Sequence, residues 1–122
     1  MSNPVCWFEI ATTDIERAKA FYTKVFKSKF KEMEVNGEKM FIFEADYSKS
    51  GSGGSLIESK ELKPGVNGGT MIYFASEDVA IEAARVEAAG GKLLKPKTSL
   101  GGSGYIAEFL DTEGNKIGIY SS

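Results

Sequence analysis

The chain has 122 residues, of which 42% are hydrophobic and 26% charged, and its formal net charge is −2. This length and balance predict one globular domain with a sizeable core. Basic residues form no long run and no apolar run approaches about 20 residues, so we expect neither a nucleic-acid partner nor a membrane span. The first five residues show no secretory signal pattern and Cys6 is the single cysteine, which together predict a cytoplasmic location without an intramolecular disulfide.

The first strand and helix are predicted from residues 5–27. Residues 5–11, VCWFEIA, are typical of a strand with Trp7 and Glu9 on one face. The sequence Thr13-Asp14-Ile15-Glu16 fits a capping box, in which a hydroxyl is followed three residues later by a carboxylate. Apolar residues then recur at helical spacing, which predicts a helix that fades near Lys27.

Three more strands are predicted in the first half. Residues 29–34 and 40–45 flank Asn36-Gly37, and this dipeptide between two apolar runs is a strong signal for a hairpin. Residues 48–55, SKSGSGGS, indicate a flexible loop. The residues LIES, 56–59, are then expected to form the fourth strand, which gives the order β-α-β-β-β.

The second half predicts the same order again. After a linker at 64–69, residues 70–76 indicate a strand and residues 78–89 a helix that Gly90-Gly91 ends. Three further strands are expected at 92–96, 105–110 and 116–120.

A duplication explains this recurrence. The difference between residue numbers 14 and 78 is 64, and the same offset relates Ala11 to Ala75, Ala20 to Ala84 and Lys31 to Lys95. A period this long indicates a duplicated half-domain. We therefore predict a single domain over 1–122, with module one at about 4–60, a linker at 61–69 and module two at about 70–122.

Three segments carry a resemblance to a known family: FEIATTDIERAKAFYTKVF, YFASEDVAIEAARVEAAGGKLLKPKT and FLDTEGNKIGIY. They resemble the vicinal oxygen chelate superfamily, which includes glyoxalase I, bleomycin-resistance proteins and extradiol dioxygenases, and most closely its lactoylglutathione-lyase-related subgroup. The resemblance implies an α+β fold in which two tandem βαβββ modules form a cup of mixed sheet, and its concave face holds the ligand.

The resemblance also implies where a divalent metal ion would bind. The ligand positions on the first strands fall on Trp7 and Met71, and those on the last strands fall on Gly118 and on Gly54 or Ser55. An indole nitrogen only donates hydrogen bonds, a thioether is a poor ligand for a hard ion, and glycine has no side chain. Histidine is absent from the sequence. We therefore predict no metal and no other cofactor.

The concave face is expected to bind a small molecule. Strand parity places Trp7 with Glu9, and Met71 with Tyr73, on this face, which suits a flat or apolar ligand. Glu9 is the candidate catalytic base, and its alternative role is a structural hydrogen bond. The predicted ligand-binding residues are Trp7, Glu9, Met71, Tyr73, Tyr105, Phe109, Gly118 and Tyr120.

Two further side chains have open or structural interpretations. Glu108 lies opposite Tyr105, Ala107 and Phe109 in strand parity, and the sequence leaves open which set faces the cup. Cys6 is interpreted as a buried structural thiol, because no histidine is present to activate it as a nucleophile.

Several functions remain open. The first hypothesis is a glyoxalase-related protein that lacks the metal site and binds a small aromatic or amphipathic molecule in the cup. The alternative is a metal-free lyase or isomerase in which Glu9 is the general base and tyrosine hydroxyls stabilise an oxyanion. A second alternative is a metal-dependent glyoxalase or dioxygenase-type enzyme with other ligands. Whether the protein is an enzyme therefore stays open at this point.

A homodimer is predicted for the assembly. Two βαβββ modules leave sheet edges and apolar strand faces to cover, and members of the family of this length commonly pair. The glycines and the proline between Lys63 and Gly69 would form the hinge if two chains exchanged modules, which the sequence leaves open. The alternative is a monomer whose glycine-rich loops close the cup.

Overall fold

The computed structural model describes residues 3–122, which divide into two compact units. Unit A is Trp7–Met71, and unit B combines the residues up to Cys6 with Ile72–Ser122. The strands are β1 (Val5–Ala11), β2 (Phe30–Val35), β3 (Glu38–Phe43), β4 (Gly53–Ile57), β5 (Thr70–Ala75), β6 (Lys92–Ser99), β7 (Tyr105–Leu110) and β8 (Lys116–Ser121), and the helices are α1 (Ile15–Phe26) and α2 (Val79–Ala83).

Unit A contains a mixed sheet with the strand order β1-β4-β3-β2. β1 runs parallel to β4, and the pairs β4–β3 and β3–β2 are antiparallel. One row of partners crosses all four strands, from Glu9 to Ser55, then to Ile42 and to Lys31. Since residues in register point to the same side, these four side chains belong to one face of the sheet.

Helix α1 covers the other face of the unit A sheet. Ile15, Phe41 and Leu56 form its buried cluster, and Ile10, Ala18, Tyr22, Phe30 and Phe43 pack against them. We call the side of each sheet that packs on its helix the helix face, and the opposite side the helix-free face. Trp7, Glu9 and Ser55 alternate with Ile10 and Leu56 along their strands, so they lie on the helix-free face.

The start of α1 corrects the predicted capping box. The N-cap is Asp14, whose Oδ1 accepts a hydrogen bond of 3.1 Å from the backbone N–H of Arg17, whereas Thr13 lies outside the helix. Glu16 instead pairs with Lys39 across 3.2 Å. Asp14 has extended backbone angles and a short acceptor side chain, which are the properties of an N-cap residue. The predicted end is confirmed, because Lys27 is a left-handed C-cap with a φ of 57°.

The strands of unit A confirm one boundary and correct another. Asn36 and Gly37 both have positive φ, so the hairpin between β2 and β3 turns as predicted. β4 begins at Gly53, inside the segment expected to be a loop, and ends at Ile57. Gly53 and Gly54 fit in a strand because aromatic rings occupy the space that their side chains would fill, that of Tyr47 beside Gly53 and that of Phe8 beside Gly54.

Unit B has the corresponding order β5-β8-β7-β6. β5 is parallel to β8, and the pairs β8–β7 and β7–β6 are antiparallel. The row that crosses these strands runs from Tyr73 to Gly118, then to Glu108 and to Lys95. The buried core of unit B lies on the opposite side of the sheet, where Val79 and Ala83 of α2 pack against Ala107 and Ile119. The row from Tyr73 to Lys95 is therefore on the helix-free face.

The second helix is shorter than predicted. A helix was expected over 78–89, but α2 ends at Ala83, and residues 84–90 continue as turns. Most of their hydrogen bonds follow the 3₁₀ pattern, in which an N–H donates to the carbonyl three residues earlier. Arg85 donates in this way to Glu82, and Val86 to Ala83. The N-cap of α2 is Asp78, whose carboxylate accepts a hydrogen bond from the N–H of Ala80.

These elements confirm the α+β class and the tandem βαβββ order. Both N-cap residues, Asp14 and Asp78, occupy equivalent places in the two units, as the offset of 64 predicts. Neither helix in the described part of the chain has the length and the apolar character needed to cross a membrane.

The contact between Tyr73 and Gly118 gives a stability test. A Cβ added at Gly118 would collide with the Tyr73 ring, which is buried. We expect Gly118→Ala to lower the free energy of unfolding by about 1–3 kcal/mol, as overpacking does. Urea denaturation measures this change.

Gly68→Ala is the matched control, because the nearest atom to its added Cβ is 3.9 Å away. It should change the free energy of unfolding by less than about 0.5 kcal/mol. Equal effects of the two substitutions would show that the Tyr73 ring does not occupy the space beside Gly118.

Candidate functional site

The helix-free face of unit A brings together two of the predicted site residues. β1 presents Trp7 and Glu9 on this face, both partly buried, and the parallel pairing with β4 sets Ser55 directly beside Glu9. Of the two residues left open, Gly54 and Ser55, this register favours Ser55. Glu9 in β1 and Tyr73 in β5 are related by the offset of 64. Since Glu9 pairs with Ser55 and Tyr73 pairs with Gly118, Ser55 is the structural equivalent of Gly118.

Ser55 has an unusual environment for a polar side chain. Its relative exposure is 0%, and within residues 3–122 no protein group forms a hydrogen bond with its Oγ. Leaving a buried hydroxyl without a partner costs about 1–3 kcal/mol. Such groups in folded proteins call for an explanation, and a ligand that supplies the missing hydrogen bond is one.

Tyr47 is a site residue that the sequence did not reveal. It belongs to the connection between β3 and β4 and is 70% exposed, but its hydroxyl end occupies the space beside Gly53 that a Cβ would fill. Gly53 has the same strand parity as Ser55, so the ring reaches the helix-free face. Strand periodicity does not predict where the side chain of a loop residue lies. The signal in the sequence was the pair Gly53-Gly54, because adjacent glycines leave room for a ring from elsewhere in the chain.

The helix-free face of unit B also carries predicted residues. Tyr73 lies over Gly118, and both are buried. Tyr120 shares the parity of Gly118, and its hydroxyl donates a hydrogen bond of 2.7 Å to the Ser103 carbonyl, which links the glycine-rich turn at 101–104 to β8. The phenol of Tyr120 therefore already has an acceptor.

Glu108 lies on this same face of unit B, which answers the question that strand parity left open. Its side chain is 8% exposed, and its carboxylate is 3.4 Å from the Lys116 Nζ and 3.8 Å from the Lys95 Nζ. The two ammonium groups compensate the buried negative charge.

Tyr105 and Phe109 lie on the helix face of unit B, opposite Tyr73, Gly118 and Tyr120. Phe109 packs against the core cluster of α2. The Lys97 Nζ lies 4.6 Å from the centre of the Tyr105 ring and 3.0 Å from the N-cap carboxylate of Asp78. The structure therefore separates these two residues from the other predicted ligand-binding residues of unit B.

Met71 completes the set of predicted ligand-binding residues, and Cys6 is the thiol that the sequence assigned a structural role. Met71 is buried at the end of unit A, with an exposure of 4%. Cys6 in unit B is partly buried, and its Sγ lies 3.7 Å from the Tyr73 carbonyl. Burial raises the pKa of the Cys6 thiol, which disfavours the thiolate and agrees with a structural role.

The residues at the positions where the family resemblance implies metal ligands do not fit a divalent ion. Trp7 offers a donor, Met71 a soft thioether, Ser55 a neutral hydroxyl and Gly118 no side chain. Among residues 3–122, no three histidine, cysteine, aspartate or glutamate side chains converge to form a metal site. The donor set therefore differs from what the family's metal chemistry requires.

Solved structures share the fold of this chain. A hypothetical protein from Bacillus halodurans, BH1468, matches with a TM-score of 0.77 at 18% identity, covering 100% of this chain and 96% of that one. A variant of Streptomyces coelicolor methylmalonyl-CoA epimerase in complex with 2-nitronate-propionyl-CoA matches at 0.75 and 22% identity, covering 98% and 94%. The methylmalonyl-CoA epimerase of Mycobacterium tuberculosis matches at 0.72 and 15%, covering 97% and 87%.

Sequence comparison assigns the family. No curated protein matched the chain. The model of the Glyoxalase/Bleomycin resistance protein/Dioxygenase superfamily matches residues 5–119, which is nearly the whole length. Together with the two βαβββ units, this match shows that the chain belongs to the Glyoxalase/Bleomycin resistance protein/Dioxygenase superfamily.

Proposed function

We propose that this superfamily member binds a small aromatic or amphipathic molecule on the helix-free face of unit A, and that it does so without a metal ion. The buried hydroxyl of Ser55, which has no hydrogen-bond partner within residues 3–122, carries the proposal. A ligand with one polar group would pair with this hydroxyl and remove the cost of its burial.

The neighbouring side chains suit such a ligand. Trp7 and Tyr47 supply aromatic surface, which contacts flat apolar molecules well. Glu9, in register with Ser55, adds a carboxylate beside the hydroxyl. Pockets for small molecules commonly combine apolar walls with a few polar groups of this kind.

Four other residues predicted from the sequence lie elsewhere, Met71 at the end of unit A and the other three on the helix-free face of unit B. Met71, Tyr73, Gly118 and Tyr120 remain proposed ligand-binding residues, because the family resemblance assigns Met71 and Gly118 to the concave face. Glu108 on the same face of unit B adds a charged group that the sequence analysis left unassigned.

Ser55→Ala tests the proposal through two effects of opposite sign. Removing a buried hydroxyl that lacks a partner should leave the free energy of unfolding unchanged or raise it by up to about 1 kcal/mol. The same change should weaken ligand binding about tenfold, because it removes one hydrogen bond. Urea denaturation measures the first effect.

Fluorescence of Trp7, the single tryptophan, measures the second effect in titrations with aromatic carboxylates, bleomycin and acyl-coenzyme A thioesters. The thioesters are included because the similar Streptomyces protein was solved with one. Ser50→Ala, an exposed serine, is the control and should alter neither quantity. Binding that disappears with EDTA, or a loss of stability above about 1 kcal/mol in Ser55→Ala, would contradict the proposal.

A second candidate function is a metal-free lyase or isomerase. The observation that favours it is the direct register of Glu9 with Ser55, which sets a potential base beside a potential hydrogen-bond donor to an oxyanion. In this case Glu9→Gln should lower kcat at least about a hundredfold on any substrate found, with little change in binding. Full activity of Glu9→Gln would exclude this candidate.

We also propose a homodimer that forms through α1. Phe21, Val25 and Phe26 on this helix are 57%, 52% and 67% exposed, which is an apolar surface that a second copy would cover. Light scattering should give about twice the 13.2 kDa chain mass at micromolar concentration, and Phe21→Lys should shift it towards the chain mass. Thr23→Lys adds the same charge to α1 and should leave the dimer intact.

A mass near 13.2 kDa across a dilution series of the unaltered protein would contradict the dimer. The cytoplasmic location stays a prediction from the sequence.

A further inference from the structure

Unit B contains a cavity on its helix face, away from every residue used in the proposed function. The cavity has a volume of about 380 Å³, within the range of roughly 300–1,000 Å³ that small-molecule sites occupy. Its apolar walls are formed by Phe74, Val86, Ala89, Phe109, Leu110 and Ile119.

The cavity follows from the short course of α2. The helix ends at Ala83, and residues 84–90 continue as hydrogen-bonded turns that leave part of the sheet uncovered. Phe74 of β5 is consequently 38% exposed, although its register partner Ile119 is in the core. The sheet therefore offers a wall of aromatic and aliphatic surface that no side chain covers fully.

The charged groups around the cavity differ in whether other residues of the protein already bind them. Glu82 accepts a hydrogen bond from the Ser76 hydroxyl. Asp111 accepts bonds from Asn115 and from the Glu113 N–H, and these bonds hold the pKa of Asp111 below its usual value. Both carboxylates are therefore engaged by the protein.

Arg85 differs from these two acids. Arg85 is exposed and lines the cavity, and within residues 3–122 its guanidinium forms neither an ion pair nor a hydrogen bond with another residue. A guanidinium provides five donors in a planar arrangement that matches a carboxylate.

We propose that this cavity binds a small monocarboxylate with an apolar body, such as a medium-chain fatty acid or an aryl carboxylate. The apolar part lies against Phe74 and Phe109, and the carboxylate pairs with Arg85. This site is independent of the proposed function, because it uses the opposite face of unit B and needs neither Ser55 nor Glu9.

Titration of the isotope-labelled full chain with octanoate, followed by amide NMR shifts, tests the proposal. Shifts should concentrate in residues 82–91 and 109–112, and at Phe74. Octanamide, which has the same apolar body without the charge, should shift the same amides with lower affinity.

The contribution of Arg85 is measured with a matched pair of variants. Arg85→Gln should weaken octanoate binding about fivefold and leave octanamide binding unchanged, the effect expected for an exposed charge pair. Lys92→Gln removes the same charge from an exposed residue outside the cavity and should change neither affinity. Ala89→Trp should fill the cavity and abolish the binding of both compounds.

Three results would overturn the proposal. One is the absence of shifts in these residues at millimolar octanoate. Another is equal weakening of octanoate binding by Arg85→Gln and Lys92→Gln, which would indicate a general charge effect. The last is a set of shifts in the same amides that follows protein concentration instead of octanoate, because a second copy of the chain would then cover the cavity.

Discussion

The contact of aromatic rings with glycines in the parallel strand pairs is the constraint on which the site depends. Phe8 lies over Gly54 where β1 meets β4, and Tyr73 lies over Gly118 where β5 meets β8. Side chains of ordinary size would not fit beneath these rings. The contacts therefore fix the register of each pair, and the register in unit A sets Ser55 beside Glu9.

The two faces of each sheet differ in role, one packing the core and the other carrying polar groups. The helix faces are apolar and hold the fold together around Leu56 in unit A and Val79 in unit B, both fully buried. The helix-free faces carry polar groups that packing does not explain. These are the Ser55 hydroxyl, which has no hydrogen-bond partner among residues 3–122, and the Glu108 carboxylate, which lies near two lysines. Functional sites often retain such groups at a cost in stability, which is why Ser55 carries the functional proposal.

Much of the fold was predictable from the sequence because its signals are local. Strand alternation predicted β1 and β7 to the residue, and Asn36-Gly37 predicted the hairpin. The boundaries that failed depend on tertiary contacts. β4 begins at Gly53 because the rings of Tyr47 and Phe8 fill the space beside its two glycines. α2 ends at Ala83, although the residues that follow have the composition of a helix. The site was predicted in part: Trp7 and Glu9 share a face, whereas Tyr47 comes from a loop and Phe109 faces the helix, which strand parity alone could not decide.

The central claim is that the Ser55 hydroxyl is kept for a ligand, and a crystal structure at high resolution tests it most directly. The protein should be purified gently, so that a bound molecule is retained. We predict electron density for a small organic molecule within hydrogen-bonding distance of the Ser55 Oγ. A protein carbonyl or carboxylate at that distance, with no organic molecule on the helix-free face of unit A, would contradict the claim.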